Sequence, residues 1–436
     1  MRFFFAFLCL LTASQTYGAT IDVSLNSRLR GEWLKNGHRP GTPAYDNIYT
    51  TKTLLQASVQ GSRWYAVGEL QDSRAWGYQP SSPVGSGFIN TLEPLQAKIG
   101  WQGKLTDAHH LNISVGRTTL LWQNGRLLGR QGYRTTIESF TGLSATLSHT
   151  NDWRVTAVGM VYNPIQPANT DPEAQRSREH QYDRPDTRTR LAGINAEHIA
   201  LGEGAELALY AIALDESDSD WRATFNRRLL TAGMHVTGTK GDWHWLTETA
   251  LQVGTRQGSR VSGDIDDREL DVMAGFVHLE ASRQLSRQWE VVLLGNYASG
   301  DATPQTGKAT TFDTLYTSAR KGDFNLTGMW GIHANSNILS PGVRLHWHGN
   351  PDWRITMRYR PAWQHAVDST GGGIEFKGHD AEAEIAFQPA GSTLSWAAGV
   401  GYFHPAGTLS QSLAQEPGNS LYAFLEMSIN LNWRNH

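Results

Sequence analysis

Cysteine is nearly absent from this chain. Cys9 is the only one in 436 residues. A chain without thiols beyond that point has no disulfide framework and no thiolate metal centre. Long apolar runs are missing too. The run Phe3 to Leu11 is far short of the roughly 20 residues a membrane helix needs. Arg2 precedes it, and the small residues Thr16 and Gly18 stand three and one before a cut at Gly18/Ala19. This is the pattern of a secretory signal peptide. Residues 1–18 are expected to leave, taking Cys9 with them, and 19–436 to form a single domain.

Catalytic motifs are missing as well. There is no Gly-x-Ser-x-Gly elbow, zinc-binding His-Glu-x-x-His, P-loop or dinucleotide fingerprint. The pairs His109-His110 and His346/His348 read as turn or lumen residues. No enzyme, cofactor or metal is expected. Charge of one sign does not dominate: 38 basic residues face 41 acidic ones. Nothing in that balance favours nucleic acid.

What the chain does have is alternation. In Trp353–Arg360, Trp353, Ile355, Met357 and Tyr359 share one parity, and Arg354, Thr356, Arg358 and Arg360 the other. Successive strand residues point to opposite faces. One apolar face and one charged face suit a membrane barrel, lipid outside and water inside. Leu25, Leu29 and Trp33 likewise oppose Arg28, Arg30 and Glu32. Ala381, Ala383 and Ile385 oppose Asp380, Glu382 and Glu384. Leu95, Ala97, Ile99 and Trp101 share one outward parity. Leu207 to Leu214 is apolar on both parities, so its faces stay open.

About 18 such segments follow one another, so the fold expected is all-β: a transmembrane antiparallel barrel with short periplasmic turns and long extracellular loops. Six short turns sit beside Trp64, Trp101, Trp153, Trp243, Trp289 and Trp353, as an interfacial belt requires. Alternation breaks over 117–134, which reads as a basic loop folded inward. The last strand ends in Trp433, three residues before the end of the sequence.

Four motifs then carry a resemblance. Leu70-Gln71-Asp72-Ser73-Arg74-Ala75-Trp76-Gly77, Gly116-Arg117 followed by Arg126-Leu127-Leu128-Gly129, Tyr297-Ala298-Ser299-Gly300-Asp301, and Phe312-Asp313-Thr314-Leu315-Tyr316 resemble, in this order, the alginate export family of outer-membrane porins. Thr118 stands where that family usually carries glutamine after Gly-Arg. The resemblance implies an 18-stranded barrel whose arginine-rich pore passes polyuronates.

The charge pattern gives that implication chemical content. Guanidinium stays protonated and meets carboxylates in a bidentate fork. Weak sites in series let a charged cargo step along a pore. The pore-lining candidates are Arg28, Arg30, Arg154, Arg344, Arg354, Arg358 and Arg360 on strands, and Arg74, Arg117, Arg130 and Arg134 in loops converging on a constriction. Glu32, Glu69, Glu248, Asp380, Glu382 and Glu384 are the lumen acids. The 380–384 row is expected beside the 354–360 ladder, sharing its arginines. The first functional expectation is a channel for anionic polysaccharide or oligosaccharide in a Gram-negative outer membrane. The alternative is an uptake porin for small anionic or zwitterionic solutes; a barrel-embedded hydrolase and an adhesin come lower. Expected partners are outer-membrane lipid and lipopolysaccharide, the anionic saccharide cargo, the barrel assembly machinery and a periplasmic partner protein.

Overall fold

The computed structural model describes residues 19–37, 43–82, 84–150, 152–168, 172–177, 179–202, 204–219, 222–258, 268–301, 307–318, 336–366, 374–406 and 418–435. The signal segment 1–18 lies outside them.

Among the described residues nineteen strands are formed. They are β1 (Thr20–Lys35), β2 (Tyr45–Gln60), β3 (Trp64–Trp76), β4 (Asn90–Lys104), β5 (His109–Thr118), β6 (Ser139–His149), β7 (Arg154–Asn163), β8 (Asp186–Ala200), β9 (Ala205–Glu216) and β10 (Arg228–Lys240). There follow β11 (Trp243–Gln257), β12 (Glu269–Gln284), β13 (Trp289–Ala298), β14 (Lys308–Ala309), β15 (Ile338–Asn350), β16 (Trp353–Gln364), β17 (Glu375–Phe387), β18 (Leu394–Pro405) and β19 (Ser420–Asn435). One short helix, α1 (Pro172–Ser177), lies between β7 and β8.

Every strand except β14 pairs antiparallel with its neighbours in sequence, β13 passing directly to β15. β19 returns to β1, with Arg30 opposite Glu426 and Ile21 opposite Asn435. The wall is therefore a closed barrel of 18 strands without an edge, and every wall strand finds backbone partners on both sides, as lipid demands. β14 pairs parallel with β12 at Asp271 and Val272, beyond the stretch of β12 that β13 covers, and is not one of the 18 strands that close the barrel. Both ends of the barrel chain, and the turns after β2, β4, β6, β8, β10, β12, β15 and β17, lie at one end. The longer connections lie at the other. By the usual asymmetry of such barrels the short-turn end is periplasmic.

The alternation sorts side chains as lipid outside requires. Ile99, Leu251 and Met273 are 63, 72 and 76 % exposed on the outer face, whereas Arg30, Glu248 and Arg360 are 2 % exposed inside. Leu95 departs from its expected face. The register slips between Glu69 and Leu70 against β4, and Leu95 is fully buried. A bulge of this kind moves residues beyond it to the other face.

The interior is not uniformly aqueous. On β6 to β9 and β12 much of the inward parity is apolar, with Phe140, Met160, Tyr162, Leu191, Tyr210, Ile212, Leu214 and Phe276 buried. They pack with Leu120, Trp122, Leu127 and Leu128 from the β5–β6 connection and with Phe312 and Tyr316 from the β13–β15 connection. This explains the two apolar parities of 207–214. Leu209 faces lipid, while Tyr210, Ile212 and Leu214 face an apolar core inside the barrel. Each such side chain contributes roughly 1.5–3 kcal/mol by leaving water, which holds the inward connection in place.

Candidate functional site

The candidate site is the lumen where residues 119–138 cross it as a strap. At one end the strap's apolar residues are sunk in the inner core. Its backbone pairs there with the β13–β15 connection: Tyr316 N–H donates to Leu127 O (2.9 Å) and Gly129 N–H to Tyr316 O (2.9 Å). Gln123 bonds Asn195 of β8 and Asn124 meets His235 of β10. Arg126 is buried against Glu248 of β11 (3.0 Å) and lies 3.8 Å from Glu280 of β12.

The other end reaches the β19–β1–β2–β3 wall. Arg28 donates to the carbonyls of Gly132 (3.0 Å) and Tyr133 (2.9 Å), and Lys52 to those of Gln131 (2.8 Å) and Arg134 (3.0 Å). Ser73 donates to Thr135 O (2.7 Å). Tyr133 and Tyr422 share a hydroxyl hydrogen bond, and Tyr422 donates on to Glu32 (2.6 Å). Arg130 meets Glu69 at 2.5 Å, and Arg134 meets Glu138 at 3.6 Å. The basic, non-alternating stretch is thus an inward loop, tied to opposite walls.

The predicted arginines fall into distinct settings. Arg28 and Arg30 face the lumen, where the Arg28 Nη1 and Nη2 groups donate to the strap carbonyls. Arg30 pairs with Glu426 (2.6 Å) and lies between the rings of Tyr133 and Phe424, 4.3 and 4.7 Å from their centroids. Arg344 pairs with Glu280 (3.0 Å), and Arg154 with Glu197 (2.5 Å) near the periplasmic rim. On β16 and β17 the register sets Thr356 opposite Glu384, Arg358 opposite Glu382 and Arg360 opposite Asp380. The acidic row thus lies beside the ladder, as expected, and Arg358 reaches Glu382 at 3.5 Å. Arg354, next to the β15–β16 turn, is exposed and makes no ion pair among the described residues.

Arg74 must be corrected. It shares the parity of Leu70, 40 % exposed on the outer face, and pairs there with Asp72 at 2.9 Å. Residues two apart on a strand share a face, so Arg74 belongs to the outer surface at the long-loop end. Arg117 also stands apart from the strap. It follows Ile113 and Val115, exposed on the outer face, and its guanidinium is held by Glu93 (2.5 Å), Asp183 (3.3 Å) and the Ser139 hydroxyl (3.0 Å). The glycine before it is required. Gly116 has φ +129°, and a Cβ there would sit 2.3 Å from Ala97 O. The four loop arginines therefore do not converge: only Arg130 and Arg134 belong to the strap.

The β7–β8 connection is pinned at the same place. Asp183 N–H donates to Glu93 (3.0 Å), while the Asp183 carboxylate accepts from Gln166 N–H (2.8 Å) and Asn90 (3.1 Å). Burial first, and then the neighbouring Glu93 carboxylate, push Asp183 up to about 8. Two buried carboxyl groups sharing one arginine do not both ionise easily.

The sequence reading missed Lys52, Glu280 and Glu426. For Lys52 the signal was present: Asp46, Thr50 and Lys52 alternate with Tyr45, Asn47 and Tyr49 at the start of β2. For Glu280 it was masked, because Glu280 shares the parity of Leu270, Val272, Ala274 and Phe276, the apolar row of β12.

With this geometry in place, comparison with known proteins adds the family. The sequence profile described as alginate export matches residues 20–386. The chain belongs to the alginate export family. Curated protein sequences gave no significant match. Among solved structures, this family member is similar to a BenF-like porin from Pseudomonas fluorescens Pf-5. It shares 12 % identity with it at a TM-score of 0.61, over 95 % of this chain and 99 % of that one. It is also similar to OccK2 (OpdF) of Pseudomonas aeruginosa in complex with glucuronate (14 %, TM-score 0.57, 94 and 96 % covered) and to OccAB2 of Acinetobacter baumannii (11 %, TM-score 0.59, 95 and 98 % covered). At such identities the likeness is one of fold. The alginate export member is an outer-membrane barrel of the porin type.

Proposed function

We propose that this barrel is an anion-preferring channel of a Gram-negative outer membrane, passing acidic saccharides in single file past the strap. The observation that carries the reading is the row of cations on one lumen wall. Arg354 stands exposed near the periplasmic mouth, and Arg358, Arg360 and Arg344 continue inward on β16 and β15. A row of guanidinium groups with acids beside it attracts a carboxylate without holding it, the behaviour conduction needs. The solved OccK2 complex, in which a barrel of this fold is found with glucuronate, supports the cargo class.

A second reading has its own support. The register that places Asp380 and Glu382 beside Arg360 and Arg358 sets a field across the lumen rather than along it. Such a field orients small zwitterions as well as anions, so an uptake porin for small solutes is the alternative.

Planar-bilayer reversal potentials under a salt gradient test the proposal. The wild type is expected to prefer anions, and that preference to fall in Arg354→Gln and further in the Arg354→Gln/Arg358→Gln pair. Oligouronate added to either side is expected to block the current. Cation preference in the wild type overturns the proposal.

A further inference from the structure

Below the strap, the lumen wall of β9 to β12 borders an open cavity of about 590 Å³ at the periplasmic mouth. Glu206, Thr237, Thr239, His244, Glu280 and Ser282 line it. Glu280 is the informative member. Its carboxylate accepts from Arg344 of β15 (3.0 Å) and meets His278 Nε2 (3.1 Å), with Arg126 of the strap 3.8 Å away. Its side chain is 21 % exposed, whereas the other acid on Arg126, Glu248, is 2 % exposed. One carboxylate that solvent can reach thus lies between a cation on the strap and a cation on the wall. Hydroxyl and imidazole groups stand around it.

We propose that this cavity is a uronate subsite, and that Glu280 is a resident carboxylate holding the place of the cargo's own. The inference rests on the channel function proposed above and assigns it a location. A sugar acid entering the cavity brings a carboxylate of the same chemistry as Glu280 to the Arg126/Arg344 pair. Its hydroxyls meet Thr237, Thr239, Ser282 and His244, which donate and accept as sugar hydroxyls do. Exchange of one carboxylate for another leaves the guanidinium donors satisfied throughout. Neither arginine is left as an unpaired partly buried charge, the costly outcome for such groups. The cargo therefore competes with Glu280 at each step, and competition shortens its stay.

The test is block of single-channel current by D-glucuronate, with D-glucose as the neutral control. Replacing Glu280 by Gln removes the competing charge. The half-blocking glucuronate concentration is expected to fall about tenfold, in the range of one charge-assisted hydrogen bond, with glucose block unchanged. Adding Arg344→Gln to Glu280→Gln is expected to abolish the gain. Glu280→Asp keeps the carboxylate and the fold, and is expected to block as the wild type does. Unchanged glucuronate block in Glu280→Gln, or an equal gain for glucose, overturns the subsite while leaving an anion-preferring wild type intact. A cation-preferring wild type overturns both.

Discussion

Replacing Lys52 by Met tests whether the strap is held by side-chain donors from the wall. The Lys52 ammonium is buried, and its donors go to Gln131 O at 2.8 Å and Arg134 O at 3.0 Å. Met fills similar space without donating. Gln131 O then loses its partner, at about 1–3 kcal/mol, and Arg134 O keeps only the longer bond from Arg28 at 3.4 Å. Against this, a buried cation no longer has to be kept out of water. Arg28, Ser73 and Tyr133–Tyr422 still hold the same segment. A net loss of about 2 kcal/mol is therefore reasonable, which raises the released fraction of the strap about 30-fold. The apolar end should stay in place, because Trp122, Leu127 and Leu128 are packed independently of Lys52. In single-channel records the variant is expected to visit a wider, higher-conductance level that the wild type rarely shows. Amide exchange of residues 131–135 should accelerate while that of 127–129 does not. Lys52→Arg should restore most of the wild-type trace. If Lys52→Met gives the wild-type conductance pattern and wild-type exchange at 131–135, the ammonium does not hold the strap and the argument fails.

Arg74→Gln should leave anion preference unchanged in the same reversal-potential assay, because its side chain lies on the outer face with Asp72; a clear drop would return Arg74 to the lumen. The attachment of the β7–β8 connection should weaken with rising pH. Asp183 is raised to about 8 in the folded chain against an ordinary value near 3.8, so between about pH 4 and pH 8 the detached state binds fewer protons than the attached one. Stability falls across that window and levels above it. Cleavage of the connection by limited proteolysis, taken as the ratio of wild type to Asp183→Asn, should therefore rise from pH 5 to pH 8.5. A flat ratio would refute the protonated-carboxyl account.

The wall was legible because one physical rule repeats along it. Lipid on one side and polar groups on the other write a period of two, and Trp353–Arg360 displays it without a break. The rule weakens wherever the inside ceases to be water. At 207–214 an apolar interior erases the contrast, and only the packing of Tyr210, Ile212 and Leu214 against the strap decides the faces. Charge alone was a poorer guide. Arg74 and Arg117 read as pore arginines because they are basic and near loops, yet parity with Leu70 and with Ile113 and Val115 argued otherwise in the same residues. Arg28 was placed on the correct face and misjudged in role, since a lumen guanidinium can spend its donors on backbone carbonyls as readily as on a cargo. No single-strand pattern distinguishes those uses; the distinction depends on which part of the chain folds back across the lumen. The same limit applies to Glu280. Its parity is that of the apolar Leu270, Val272, Ala274 and Phe276, and its significance comes from the meeting of β12, β15 and the strap at one carboxylate. On the proposed function, selectivity depends on the strap's contacts as much as on the wall, and a ladder of arginines should be counted as a conduction path only after those contacts are subtracted.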